Sequence, residues 1–224
     1  MKKILATILL AVFTVSCAQV AVEYGSVNEK VEQAYYSSVS VVDKKGSASG
    51  AGTIIYNGID KNMVVITAAH VVVSFTKKKK DIYVQPLFDG KLRKVVVLKI
   101  DEKVDLAVLI AVEKETKAGY CATLAGGHPN LGDVVWAVGA PSGDKGNITK
   151  GTLSNFHNDK DDEVFKYRFT APIFFGNSGG GLFNSKMELV GVVVSIGAVQ
   201  MGFSTLLVPG AGYAVSIKDI KKIL

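Results

Sequence analysis

Cysteine is almost missing from this 224-residue chain, which has two, Cys17 and Cys121. Cys17 falls within a leader-like start, so Cys121 has no partner in a mature chain. A disulfide framework is thereby excluded, and the fold has to be held by core burial. Long hydrophobic runs are missing too. The longest apolar stretch, residues 4–15, is shorter than the roughly 20 residues a membrane-crossing helix needs. An excess of one charge is slight: the formal net charge is +6, and Lys2 and Lys3 belong to the leader. That is too little to argue for a nucleic-acid partner. Histidine is scarce, with three in the chain, and a metal centre needs several convergent ligands. His128 precedes Pro129 in a loop, and His157 sits with Asn158, Asp159 and Asp161 in a polar hairpin tip that reads as solvated. No metal site is expected. There is no internal repeat and no low-complexity stretch.

What remains is a composition with 48% hydrophobic and 21% charged residues, enough to bury a sizeable core. The 23 glycines set against 5 prolines suit many short strands separated by tight turns. The first 18 residues have a basic start, an apolar stretch and a small-residue end, which is the anatomy of a secretory signal peptide. Two cleavage readings stand side by side. Ser16-Cys17-Ala18 fits a small-x-small site before Gln19, whereas Thr14-Val15-Ser16-Cys17 resembles a lipobox in which Cys17 would be lipidated. Either way the chain is expected to be exported: periplasmic, envelope-anchored or secreted, with membrane contact only through Cys17.

Residues 19–36 form a lead into the body, ending in a short helix that Asn28 can cap, with Val31, Ala34 and Tyr35 at helical spacing. From Val39 the period changes. SVSVVD, GTIIYNG, NMVVITAA, DIYVQPLF, RKVVVLKI and DLAVLIAV are six β-branched runs bounded by turn residues, enough for one closed barrel over residues 37–115. Lys77 to Lys80, the densest charge run, reads as a solvated loop between strands. Residues 114–130 have little periodicity and serve as a connector. A second set of about six strands follows: GDVVWAVG, a segment near 149–156, EVFKYRFT, GGGLFN, ELVGVVVSI and GYAVS. Residues 216–224 close the chain as a helix, with Ile217, Ile220 and Leu224 on one face and Ser216 as cap. Connector, second strand set and helix make up residues 116–224. The class expected is all-β.

Three segments carry chemistry. GNSGGGL, residues 176–182, sets Ser178 among glycines, which let backbone N–H groups converge on one point as an oxyanion hole requires. The donors assigned are the backbone groups of Gly176 and Ser178, in a loop that also includes Asn177. Ser178 Oγ is the candidate nucleophile. TAAHVV, residues 67–72, delivers His70 at the end of an apolar strand, where a neutral imidazole could take the serine proton. In VDLAVLI, Asp105 stands alone at the head of an apolar strand. A carboxylate so placed is costly unless paired, and an imidazole N–H would pair it. Asp101, beside Glu102 and Lys103, competes for that role but reads as a solvated turn.

Together these segments resemble the trypsin-like serine proteases, and among them the bacterial HtrA/Deg branch. The matching stretches are GAGT (50–53), TAAHVV, VDLAVL, GDVVWAVGAPSG, GNSGGGL, ELVGVVVS and GYAVSIKDI, over roughly residues 37–220. The resemblance implies two six-stranded antiparallel β-barrels with His70 and Asp105 from the first, Ser178 from the second, and peptide-bond hydrolysis in the cleft between them without a metal or organic cofactor. It implies protein or peptide substrates and, by kinship, a homo-oligomer. The PDZ domain usual in that branch is not expected after the closing helix. The residues before the serine, TAPIFFGNSGG, depart from the pattern of many relatives. In this family the pocket for the residue before the scissile bond is walled by the segments around Ala171, Pro172, Ile173 and Phe174 and around Val194, Ser195 and Ile196. These carry no acid, so a small or medium apolar side chain is expected there. The alternative is a catalytically silent or partner-activated protein of the same fold.

Overall fold

The structure, a computed structural model, describes residues 28–56, 58, 61–115, 119–140, 146–158, 164–201 and 204–224. The leader and Cys17 lie outside the described residues, as do Asp159 and Asp161. No helix among the described residues is long and apolar enough to cross a membrane.

Asn28 caps α1 (Glu29–Tyr36), its side-chain oxygen accepting from the Lys30 amide at 3.0 Å, and the helix buries Ala34. Six strands then close into a barrel: β1 (Ser38–Val42), β2 (Ala48–Tyr56), β3 (Asn62–Thr67), β4 (Ile82–Pro86), β5 (Arg93–Asp101) and β6 (Leu106–Lys114). Their order around the barrel is β1-β2-β3-β6-β5-β4, every neighbour antiparallel. Val39, Ile54, Val65, Leu106 and Leu109 fill its interior. At the β4–β5 turn Arg93 is clamped between Asp89 and Glu115, which holds the guanidinium firmly protonated.

The second half contributes β7 (Thr123–Leu124), β8 (Val134–Gly139), β9 (Asn147–Asn158), β10 (Phe165–Phe169), β11 (Gly181–Phe183), β12 (Glu188–Met201) and β13 (Ser204–Ser216). Six of these close a second ring in the order β11-β8-β9-β10-β13-β12, because β11 also pairs with β12, while β7 adds in parallel to β12. Tyr167, Phe169, Leu182, Phe183 and Leu189 are fully buried there. The last helix, α3 (Ile217–Ile223), starts at Ser216, whose hydroxyl accepts from the Asp219 amide at 3.4 Å.

Two elements go beyond the expectation. The first is a third helix, α2 (Ala69–Lys77), between β3 and β4. Ala68, Val71, Val72 and Phe75 are buried at helical spacing, and the lysine run straddles the end of that helix rather than a plain loop. The second is the length of the β12–β13 hairpin, which continues past Ile196 to pair Ala198 with Leu207 and Gln200 with Thr205. The stretch read as a connector also holds the short β7.

Candidate active site

β3 ends at Thr67 and the chain turns directly into α2. The first helical amides need acceptors, and the N-cap residue, Ala68, has no side chain to offer one. Asp105 supplies it from the start of the neighbouring strand β6, where Ala107 pairs with Thr67. Its Oδ1 accepts the His70 amide at 2.9 Å and its carbonyl accepts the Ala69 amide at 3.2 Å. The other carboxylate oxygen lies 2.8 Å from His70 Nδ1. One carboxylate therefore holds both the backbone and the ring of His70. Asp105 itself sits at φ 61°, a left-handed conformation that Asp and Asn tolerate better than other side chains. The His70 side chain is 49% exposed and that of Asp105 is 28% exposed, so the imidazole faces solvent with its inner nitrogen engaged.

Ser178 reaches the same place from the second barrel. Its carbonyl accepts the Ala51 amide of β2 at 2.7 Å. A Cβ built on Gly50 would lie 2.6 Å from Val71 and 2.8 Å from the Ser178 carbonyl. The residue next to His70 and the residue Ser178 therefore flank one glycine, with no room between them for a methyl group. Gly179 seals the junction: its amide donates to the Val193 carbonyl at 2.7 Å. A Cβ there would fall 2.1 Å from the Ala51 carbonyl and 2.2 Å from Thr67 Oγ1, at φ 89°. Gly179→Ala is expected to cost about 3 kcal/mol or more, because the atoms it would strike are hydrogen-bonded to each other and cannot retreat. The control is Gly46→Ala, also at positive φ but with nothing within 4 Å, expected to cost about 1 kcal/mol. Denaturant midpoints compare the two; equal losses would mean that the junction is not tight.

Between Phe174 and Asn177 the chain makes a turn closed by the Asn177 amide donating to the Phe174 carbonyl at 3.1 Å. Gly176, its third residue, has φ 95°, the pattern of a type II turn. The Asn177 amide is thus committed, whereas the amides of Gly176 and Ser178 have no partner among the described residues. Asn177 is buried, and its Oδ1 has no hydrogen-bond partner among the described residues.

Beside this turn lies a cavity of about 170 Å³ whose walls include Pro172, Ile173, Phe174, Ile196, Leu207 and Val208. Ala171 and Val194 are buried and Ser195 is exposed; none of the three belongs to that lining. Leu207 and Val208 come from β13, which begins well before the expected GYAVS strand. Phe174 is 59% exposed at the rim. The remaining histidines lie elsewhere. His128 hydrogen-bonds through Nδ1 to the Tyr167 hydroxyl, whose pKa burial pushes up, and His157 packs edge-on against Tyr213.

The chain is similar to known proteins over most of its length. The family model described as the trypsin-like peptidase domain matches residues 50–192. The chain belongs to the trypsin-like peptidase family. Among curated relatives, putative protease Do-like 14 of Arabidopsis thaliana is 31% identical over 196 residues, 80% of this chain and 41% of that protein. Putative serine protease HhoA of Synechocystis is 31% identical over 189 residues, 81% of this chain and 43% of that protein. The chain thus spans less than half the length of these two relatives. Among solved structures, the serine endoprotease from Yersinia pestis superposes with a TM-score of 0.66 at 25% identity, covering 88% of this chain and 65% of that one. An HtrA-type protease with a tripeptide superposes with a TM-score of 0.69 at 23% identity, over 86% of this chain and 60% of that one, a likeness of fold.

Proposed function

We propose that this trypsin-like chain is a serine endopeptidase acting through an acyl-enzyme, with Ser178 as nucleophile, His70 as general base and Asp105 as the group that orients it. The observation that carries the reading is the double grip of Asp105 on His70. With Nδ1 held 2.8 Å from a carboxylate, the proton of the neutral ring belongs on that nitrogen, and Nε2 is left free to accept. Nε2 takes the Ser178 hydroxyl proton as Oγ bonds to the scissile carbonyl carbon. The carbonyl oxygen becomes an oxyanion, which the amides of Gly176 and Ser178 stabilise. The imidazolium returns its proton to the leaving amine, and the C–N bond breaks. Water then attacks the ester by the same route in reverse order of partners, giving up a proton to His70 and restoring Ser178. No step calls on a cofactor.

The cavity beside the turn that leads into Ser178 takes the side chain that precedes the scissile bond. Its lining is apolar, and no carboxylate there would pair with Lys or Arg, so small or medium apolar side chains fit it best. The leader supports export, with Cys17 as the residue a lipid would occupy. Digestion of a diverse peptide mixture, with cut sites read by mass spectrometry, tests the reading. Cuts should follow residues such as Ala, Val, Leu or Ile. Cuts after Lys or Arg would refute the assigned pocket, and a folded protein that cuts nothing would refute the enzyme.

A further inference from the structure

If His70 is the catalytic base, the surface of α2 beyond it is substrate surface, and the inference below rests on that reading. α2 turns Val71, Val72 and Phe75 inward. The next face around the helix carries His70, Val73, Ser74 and Lys77, the i, i+3, i+4, i+7 spacing of one continuous stripe. This stripe forms one wall of a groove of about 440 Å³ that begins at His70 and Asp105, takes in Val73, Lys77 and Lys78, and has Glu102 in its opposite wall. Seven residues of helix span about 10 Å, and an extended peptide covers about 3.3 Å per residue. The lysine end of the groove therefore lies within three substrate residues of the scissile bond.

The charge of that end exceeds what the helix needs. Cations at a helix C-terminus complement its dipole, which accounts for Lys77 in the last turn. Lys78, Lys79 and Lys80 follow without interruption and all are exposed. Neither Lys77 nor Lys78 has a hydrogen-bond or ion-pair partner for its ammonium group among the described residues. Of the two acids lining the groove, Asp105 is held by His70, which leaves Glu102 opposite Lys77 and Lys78, with two more lysines next along the chain. Ala69 and Val73 give the wall nearer His70 an apolar surface, and lysine stems extend it up to their charged heads.

We infer that this groove is a subsite for an acidic side chain lying within three residues of the scissile bond, its methylenes against Val73 and its carboxylate between Lys77 and Lys78. The occupant is a Glu or Asp of the substrate, and the groove would make the protease select apolar cut sites flanked by acid.

Fluorescent peptides that differ only in a Glu, Gln or Lys, walked across the three positions on each side of an apolar cut site, supply the test. Binding is measured on Ser178→Ala and cleavage on the active chain, in about 50 mM and about 500 mM salt. At one position Glu should bind and be cleaved about three- to tenfold better than Gln, with Lys worse than both. Screening should bring the advantage below about twofold at the higher salt. In Lys77→Glu/Lys78→Glu the order of Glu and Lys should invert. Equal binding of Glu and Gln peptides at every position, or a preference that survives the charge reversal, would overturn the subsite. A preference in binding with no cleavage of any peptide would retain the subsite and reject the protease reading instead.

Discussion

Ser178→Ala is expected to remove fluorophosphonate labelling entirely and to lower kcat by about 10⁶-fold. The magnitude follows from how the proposed group works. Asp105 and His70 have one task, to draw a proton from Ser178 Oγ, and without that oxygen neither contributes to the rate. What survives is the residual acceleration from the two free amides and from binding, about 10³-fold over water. The substitution removes one oxygen at a half-buried position whose carbonyl stays bonded to Ala51, so the variant should unfold at the wild-type midpoint. Labelling is read on a gel and rates on a peptide cleaved by the wild type. Label retained by the variant would place the activated nucleophile at another residue. A folded wild type that takes no label and cuts nothing would mean that the two barrels hold the three residues for binding alone.

The parts of this site that were legible from sequence are those in which chemistry restricts the residue type. A base has to be an imidazole, its partner a carboxylate, and the loop around the nucleophile rich in glycine, so TAAHVV, VDLAVLI and GNSGGGL stand out as short strings. The barrels were legible because alternating apolar runs report a buried face regardless of which strand lies beside them. Pairing was not legible, since register is decided between segments far apart in the chain. This is why Leu207 and Val208 were missed as cavity walls. They belong to β13, where Gly197 and Gly210 look like turns, yet β12 and β13 continue through an irregularity between Ile196 and Ala198 and pair again. α2 was hidden by propensity: Val71, Val72 and Val73 are β-branched residues that favour strands. Their burial at positions 68, 71, 72 and 75 is helical, and the helix forms because Asp105, 35 residues away, caps it. Tertiary contact outweighed local preference, and the contact that did so is the one that orients His70.

That coupling makes Asp105→Asn the sharpest test of how the site works. Asn is the one replacement that keeps nearly everything else. It tolerates φ 61°, it matches the shape of Asp, and its amide oxygen can still accept the His70 backbone N–H now held at 2.9 Å. The helix start should therefore persist and the protein should fold. What changes is the second oxygen, 2.8 Å from His70 Nδ1, which becomes an NH₂ group. A donor there requires Nδ1 to accept, so the ring must carry its proton on Nε2, facing Ser178. The base is then in the wrong tautomer and cannot take the hydroxyl proton. The expected loss is about 10⁴-fold in kcat near neutral pH, with KM little changed. Raising the pH should recover part of the loss, since hydroxide can take the serine proton without the ring. Asp105→Ala should cost as much activity and, in addition, stability, because it also strips the cap from α2. If Asp105→Asn kept wild-type kcat, the carboxylate would be a helix cap and nothing more, and the orientation of His70 would have to come from elsewhere.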